Sequence, residues 1–176
     1  MTTAIYSAVV LVLVVADQLS KYWAVTALAQ GPFILIPDVF ELELHRNPGI
    51  AFSMLSGHGW IFIPTSILMT ILLFVILVRS PMRTSKLFAF STLLIISGAI
   101  GNLIDRIVLG EVIDFFSFTL IDFPIFNFAD CCVVVGAILL FVYCLFGMKG
   151  MENLPLRTLL FGIKSKTKEN DHDGTV

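Results

Sequence analysis

The sequence predicts an α-helical integral membrane protein with four transmembrane helices, a small extracytoplasmic β-sheet and an outer-face aromatic loop. Three observations carry this. Apolar residues make up 57% of the 176 residues and charged residues only 14%, against about 25% charged in soluble domains. Such a chain cannot cover its own surface in water, so its solvent is lipid. Four apolar segments approach the roughly 20 residues that a bilayer requires. Between them, one stretch switches to the period of a strand. The formal net charge of −2 gives no electrostatic case for nucleic acid.

The first span is expected over about residues 4–28. Neither Lys nor Arg precedes it and no small-residue cleavage pattern follows it, while Asp17 and Lys21 lie inside it. It therefore reads as a retained span rather than a signal peptide. The others are expected over about 60–78, 87–109 and 126–148, within a single membrane domain covering residues 1–176. Arg79, Arg83 and Lys86 stand between the second and third spans. Lys149, Arg157, Lys164, Lys166 and Lys168 follow the fourth. The opposite loops hold only Arg46, so both termini are expected in the cytoplasm. The cytoplasmic tail, 149–176, ends in a polar stretch expected to be solvated, and its basic residues suit anionic headgroups.

Two outer segments remain. In the outer β-region, 33–55, Phe40, Leu42 and Leu44 alternate with Glu41, Glu43 and His45, as in a half-buried strand. Asn47-Pro48-Gly49 supplies turn chemistry, and Ile50 to Leu55 is expected as a second strand. Residues 110–125 are rich in Phe and end near Pro124, and are expected as an aromatic loop at the membrane interface.

Ionisable groups inside spans are functional candidates, and here they align in depth. Asp17 and Lys21 lie in the outer half of the first span. Asn102, Asp105 and Arg106 lie near the outer end of the third, and Asn127 and Asp130 at the outer start of the fourth. At 1.5 Å per residue, Asp130 is only about 6 Å along the helix from Phe126. Asp114 follows the third span on the same side. Asp17 and Lys21 share a helix face, as do Asn102 and Arg106. Ser97, Gly98, Ala99 and Gly101 make the third span slim, so a neighbour can approach.

Two close carboxylates share a proton and so supply one acid and one base. Hydrolysis by an activated water needs that pair, and Asp114 and Asp130 are the best candidates. The competing readings are structural: an interfacial polar cluster, an Asp105–Arg106 ion pair, a snorkelling Lys21, and asparagines that only bind helices together. A Ser–Lys dyad of Lys21 and Ser53 lacks any local signature. His45, His58 and His172 are scattered and no H-E-x-x-H occurs, so no metal site is expected. No glycine-rich phosphate loop occurs and no cofactor is expected. Cys131, Cys132 and Cys144 fall in one apolar run and read as small buried residues. A proton- or ion-coupled transport subunit is the main alternative function, but a relay needs titratable groups across the whole membrane. A non-enzymatic assembly factor is a third.

Five segments carry a resemblance: Asp17-Gln18-Leu19-Ser20-Lys21, Asn47-Pro48-Gly49-Ile50-Ala51-Phe52, the run Gly98 to Arg106, Val112-Ile113-Asp114-Phe115, and Phe126-Asn127-Phe128-Ala129-Asp130. In that order, on four spans, they resemble bacterial lipoprotein signal peptidase, also called signal peptidase II. The resemblance covers roughly residues 4–148. Ser97 and Ile50 depart from the residues common there, without touching a proposed catalytic group.

The resemblance implies an intramembrane aspartyl endopeptidase of the bacterial cytoplasmic (inner) membrane. It would cleave prolipoproteins immediately before a diacylglyceryl-modified cysteine, with Asp114 and Asp130 catalytic. It implies supporting or substrate-binding roles for Asp17, Lys21, Asn47, Gly49, Asn102, Arg106 and Asn127. It also implies membrane lipid and cyclic peptide antibiotics such as globomycin as partners, and a monomer is expected. The outer sheet and the aromatic loop, Phe115 to Phe123 above all, are expected to clamp substrate over the site.

Overall fold

The computed structural model describes residues 3–48, 62–147 and 156–162. In chain order these form α1 (Thr3–Ala27), β1 (Phe33–Ile36), β2 (Phe40–Asn47) and α2 (Phe62–Arg79). A 3₁₀ turn (Pro81–Thr84) leads into α3 (Lys86–Val108), β3 (Val112–Phe118), α4 (Phe128–Phe146) and the short α5 (Leu156–Phe161). Helices α1, α3 and α4 are each long and apolar enough to cross a membrane; α2 is apolar over the shorter stretch Ile63–Arg79. The chain is a multi-pass membrane protein, and its exposed Leu11, Val12, Leu68, Ile138 and Phe141 fit helices whose outer faces meet lipid.

Helix α3 stands in the middle, packed against α1, α2 and α4. Of its most apolar 18-residue stretch 56% is buried, against 22% for those of α1 and α4. Close approach depends on glycine. A Cβ on Gly98 would collide with the Ala129 carbonyl oxygen, and one on Gly101 would lie 2.5 Å from Asp17 Oδ2. The expected slimness of this helix thus has a concrete purpose: it admits α4 on one side and a carboxylate of α1 on another.

The two ends of the bundle differ. One is an apolar cluster in which Tyr6, Leu77, Met82, Phe88, Tyr143 and Leu159 are buried together. Leu159 comes from α5, and the Ser80 hydroxyl donates to its carbonyl oxygen. At the other end Ala24 of α1 and Leu28 just after it pack against Phe115 of the sheet.

That sheet has three antiparallel strands in the order β1-β2-β3. The strand expected at Ile50 to Leu55 lies outside the described residues; beside β1, the described partner of β2 is Val112–Phe118. The expectation of an aromatic loop over 110–125 is therefore corrected: its first half is β3. Its pattern concealed the strand, because Val112, Ile113, Asp114 and Phe115 are all buried, with both faces covered, so no alternation shows. Phe126 also pairs with Phe116 beyond it. Of the segment Phe115 to Phe123, expected to clamp substrate, Phe115 is only 2% exposed and belongs to the packed base of the sheet, while Phe123 is exposed at its far end.

Between Leu42 and His45, β2 carries one residue more than β3, so that Leu42 faces Phe116 while His45 faces Asp114. This bulge reverses which side chains share a face beyond it. It places Asn47, opposite Val112, on the face that carries Asp114, and turns Arg46 the other way, where it pairs with Glu111 at 2.6 Å.

Candidate active site

Asn127 starts α4 and organises its first turn. Its side chain accepts from the Asp130 N–H at 3.0 Å, and the Asp130 carboxylate accepts from the Asn127 N–H at 3.1 Å. This reciprocal capping box satisfies two backbone donors that a helix start leaves open. A third, the N–H of Ala129, donates to Asp17 of α1 at 2.9 Å. The start of α4 is thereby bolted to α1 and carries Asp130 with it.

Asp114 arrives on β3. Its Oδ1 accepts from Asn127 Nδ2 at 2.6 Å and its Oδ2 from Asn47 Nδ2 at 2.9 Å. Asp130 Oδ1 accepts from Asn102 Nδ2 at 2.7 Å. The Asn102 oxygen accepts in turn from Asn127 Nδ2 at 3.0 Å and from Lys21 Nζ at 2.9 Å. Three asparagines thus hold the two carboxylates, each amide spanning between elements.

Behind them lies a compact ionic group. Lys21 Nζ is 2.9 Å from Asp17 Oδ2 and 2.9 Å from Asp105 Oδ2. All three side chains are buried, which is tolerable only because they are paired and bonded further. Gln18 Nε2 donates to Asp105 Oδ1 at 2.9 Å and to Asp17 Oδ2 at 3.1 Å. Asp105 Oδ2 also accepts from the Ile113 N–H at 3.2 Å, which anchors the start of β3 to α3. The pairing of Asp105 with Arg106 is therefore corrected. These neighbours diverge around the helix, so that Asp105 faces α1 while Arg106 faces the cavity. The snorkelling reading of Lys21 is corrected by its burial among three acceptors.

The Arg106 guanidinium donates to the Asn102 carbonyl at 3.2 Å. It lines a cavity of about 480 Å³ together with Asn47, Asn102, Asp114 and Asp130. The remaining wall is apolar: Phe123, Pro124, Phe126, Cys131, Val134 and Val135 among others. Two carboxylates at the bottom of an apolar cleft suit a substrate with one polar reacting bond and a lipophilic body. Burial pushes the Asp114 carboxyl up to about 6; the amide of Asn47 opposes this, and the negative charge of Asp130 reinforces it. The structure brings Asp17, Lys21, Asn47, Asn102, Arg106, Asp114, Asn127 and Asp130 into one site, while Gly49 lies outside the described residues.

A family model described as signal peptidase (SPase) II matches residues 9–146. The chain belongs to the signal peptidase II family. It is 42% identical over 81% of its length to a lipoprotein signal peptidase of Clostridioides difficile, of which it covers 95%. It is 40% identical over 74% of its length to one of Brevibacillus brevis, of which it covers 88%. A bacterial membrane enzyme solved by the in meso method at 2.3 Å resembles it with a TM-score of 0.75 at 29% identity, over 87% of this chain and 94% of that one. Membership in signal peptidase II makes the chain an aspartic protease. Gln18 and Asp105 also belong to the site, although the resemblance implies no role for either. Gln18 adjoins Asp17, and Asp105 lies three residues after Asn102, on the same helix face.

Proposed function

We propose that this chain removes the signal peptide from diacylglyceryl-modified prolipoproteins, with Asp114 and Asp130 as the catalytic pair. The observation that carries the proposal is that two carboxylates, from β3 and α4, line one apolar-walled cavity. They are the aspartates of the segments resembling the signal peptidase II family. The pair shares one proton. One carboxylate takes a proton from water, whose oxygen adds to the scissile carbonyl carbon. The other protonates the carbonyl oxygen. The asparagines hold both groups in place through the cycle, so little reorganisation is needed.

The bilayer arrangement fits the same reading. With four spans and both termini in the cytoplasm, Arg79, Arg83 and Lys86 lie at the inner end and the site at the outer leaflet. Acyl chains then remain in lipid beside Val134 and Val135 while the scissile bond reaches the aspartates. The protein works as a monomer in the inner membrane, and globomycin-type cyclic peptides compete for the cleft. Gly49, two residues after Asn47 in the segment that carries the resemblance, contributes to holding substrate.

The test is turnover of a diacylglyceryl-modified prolipoprotein in detergent. Wild type should cut with or without a chelator, and Asp114→Asn and Asp130→Asn should remain folded but lose at least about 10²-fold in rate. A folded variant cutting at the wild-type rate would remove that residue from the pair. A wild type inert on authentic lipidated substrate would defeat the proposal as a whole.

A further inference from the structure

The hydrogen bonds around Asn102 have a direction. Lys21 can only donate, so the Asn102 side chain must turn its oxygen toward Nζ, at 2.9 Å. Its NH₂ is then delivered to Asp130 Oδ1, at 2.7 Å. Asn127 is fixed in the same way: its oxygen accepts the Asp130 N–H, so its NH₂ faces Asp114. The two aspartates are nonetheless not equivalent. The charge of Lys21 reaches Asp130 through one amide, but reaches Asp114 only through two, Asn102 and then Asn127. Asp130 also accepts a backbone N–H in the first turn of α4, where the helix presents its positive end. Asp114 stands mid-strand and accepts from the side-chain amides of Asn47 and Asn127.

We propose that Lys21 is a positioning residue. By holding the Asn102 oxygen it aims the Asn102 amide at Asp130, and so makes Asp130 the carboxylate that accepts the proton of water and Asp114 the one that protonates the substrate carbonyl. This rests on the reading of Asp114 and Asp130 as the catalytic pair. The steps balance. Water loses a proton to Asp130 as its oxygen bonds to the carbonyl carbon, and the carbonyl oxygen takes the proton of Asp114. On collapse of the diol, one hydroxyl returns a proton to Asp114, the carbon–nitrogen bond breaks, and the leaving nitrogen takes the proton held by Asp130.

The groups around Asp130 are Asp17 and Lys21 on α1, Asp105 and Arg106 on α3, Asp114 on β3, and Cys131 on its own helix. His45 on β2 lies opposite Asp114 in register. Among the described contacts, Lys21 donates to the Asn102 side-chain oxygen, which also accepts from Asn127 Nδ2, and the Asn102 amide donates to Asp130.

The test uses the full chain and a synthetic diacylglyceryl lipopeptide, with kcat and KM followed across pH. Lys21→Met is paired with Asp105→Asn, so that the net charge of the buried group with Asp17 is unchanged by the loss of the ammonium. A second pair, Lys21→Gln with Asp105→Asn, keeps a donor for the Asn102 oxygen. The Met pair should lose about 10–100-fold in kcat with KM within about twofold, and its acid limb should move to higher pH, because the base has lost its fixed donor. The Gln pair should recover about tenfold of that loss. Equal kcat for the Met and Gln pairs, or a loss with the acid limb unmoved, would overturn the proposal and leave Lys21 a structural residue. If neither pair folds, Asn102→Asp carries the test, since it keeps Lys21 partnered while removing the NH₂. It must lose turnover with the acid limb raised, and wild-type behaviour refutes the proposal. Asp130→Asn in parallel separates the two readings: activity there defeats the catalytic pair itself, whereas an inactive Asp130→Asn beside an unaffected Met pair defeats only the role of Lys21.

Discussion

The side-chain amide of Asn127 donates to Asp114 at 2.6 Å while the same residue caps α4. One residue therefore does two things that substitution can separate. Asn127→Asp keeps a capping oxygen but removes the donor to Asp114 and sets two carboxylates face to face. Asn127→Ala removes both. The Ala variant should lose about 1 kcal/mol or more of stability from the cap alone. The Asp variant should keep the cap, yet lose turnover by about 10–100-fold, as other residues that hold a reactive group do. Thermal melts and initial rates on the two variants check this. Equal rates for Asn127→Asp and wild type would mean that the amide does not position Asp114.

The buried carboxyl of Asp114, pushed up to about 6, ties stability to pH. A carboxyl that is harder to ionise in the folded state favours folding while protonated. Its contribution is therefore complete below its unfolded value, about 3.9, and is lost as pH rises through 6. By linkage the loss amounts to up to about 3 kcal/mol. Melting temperature in detergent should fall from pH 4 to pH 7 in wild type and fall less in Asp114→Asn, which has nothing to ionise there. Parallel curves for the two proteins would show that another group controls the slope.

Much of the site could be read from spacing, and the reasons for the rest are specific. Asn127 and Asp130, three apart before an apolar run, are a capping box in sequence as in structure. Asp17 and Lys21 share a face because helical geometry demands it. The strand β3 escaped because burial on both faces erases the alternation that marks a strand. The bulge that selects Asn47 over Arg46 is a matter of register, which depends on the partner strand and not on β2 alone. Asp105 adjoins Arg106 in sequence, which makes that ion pair a competing reading, yet its ion-pair partner, Lys21, is 84 residues earlier in the chain. Docking of α5 rests on Leu159 with the partly buried Leu160 beside it, and a six-residue helix carries too little periodicity to announce its buried face.

Gly101 makes the approach of α1 to α3 testable. An added Cβ would stand 2.5 Å from Asp17 Oδ2, inside van der Waals contact. Asp17 can yield only by breaking its bonds to Lys21 and to the Ala129 N–H, which hold α4 to α1. Gly101→Ala should therefore cost about 1–3 kcal/mol, as overpacking does, and should lower turnover as well because the start of α4 shifts. Gly31→Ala is the control for added volume, since nothing lies within 4 Å of its Cβ; its positive φ still imposes backbone strain. A Gly101→Ala protein with wild-type melting and turnover would show that the helices have slack at this crossing.

Ser80 tests the opposite end of the bundle. Its hydroxyl accepts from the Met82 N–H at 3.1 Å and donates to the Leu159 carbonyl, joining the turn after α2 to α5. The residue is completely buried. Ser80→Ala leaves a backbone donor and a backbone acceptor without their partner, at a cost of about 1–3 kcal/mol. The apolar cluster around Tyr6, Leu77 and Tyr143 separates this joint from the aspartates, so specific activity below the melting transition should not change. Truncation after residue 155 should lower the melting temperature similarly, by removing Leu159 from the cluster. A loss of turnover in folded Ser80→Ala would mean that this end of the bundle is coupled to the site through the helices that join the cluster to Asn102 and its partners.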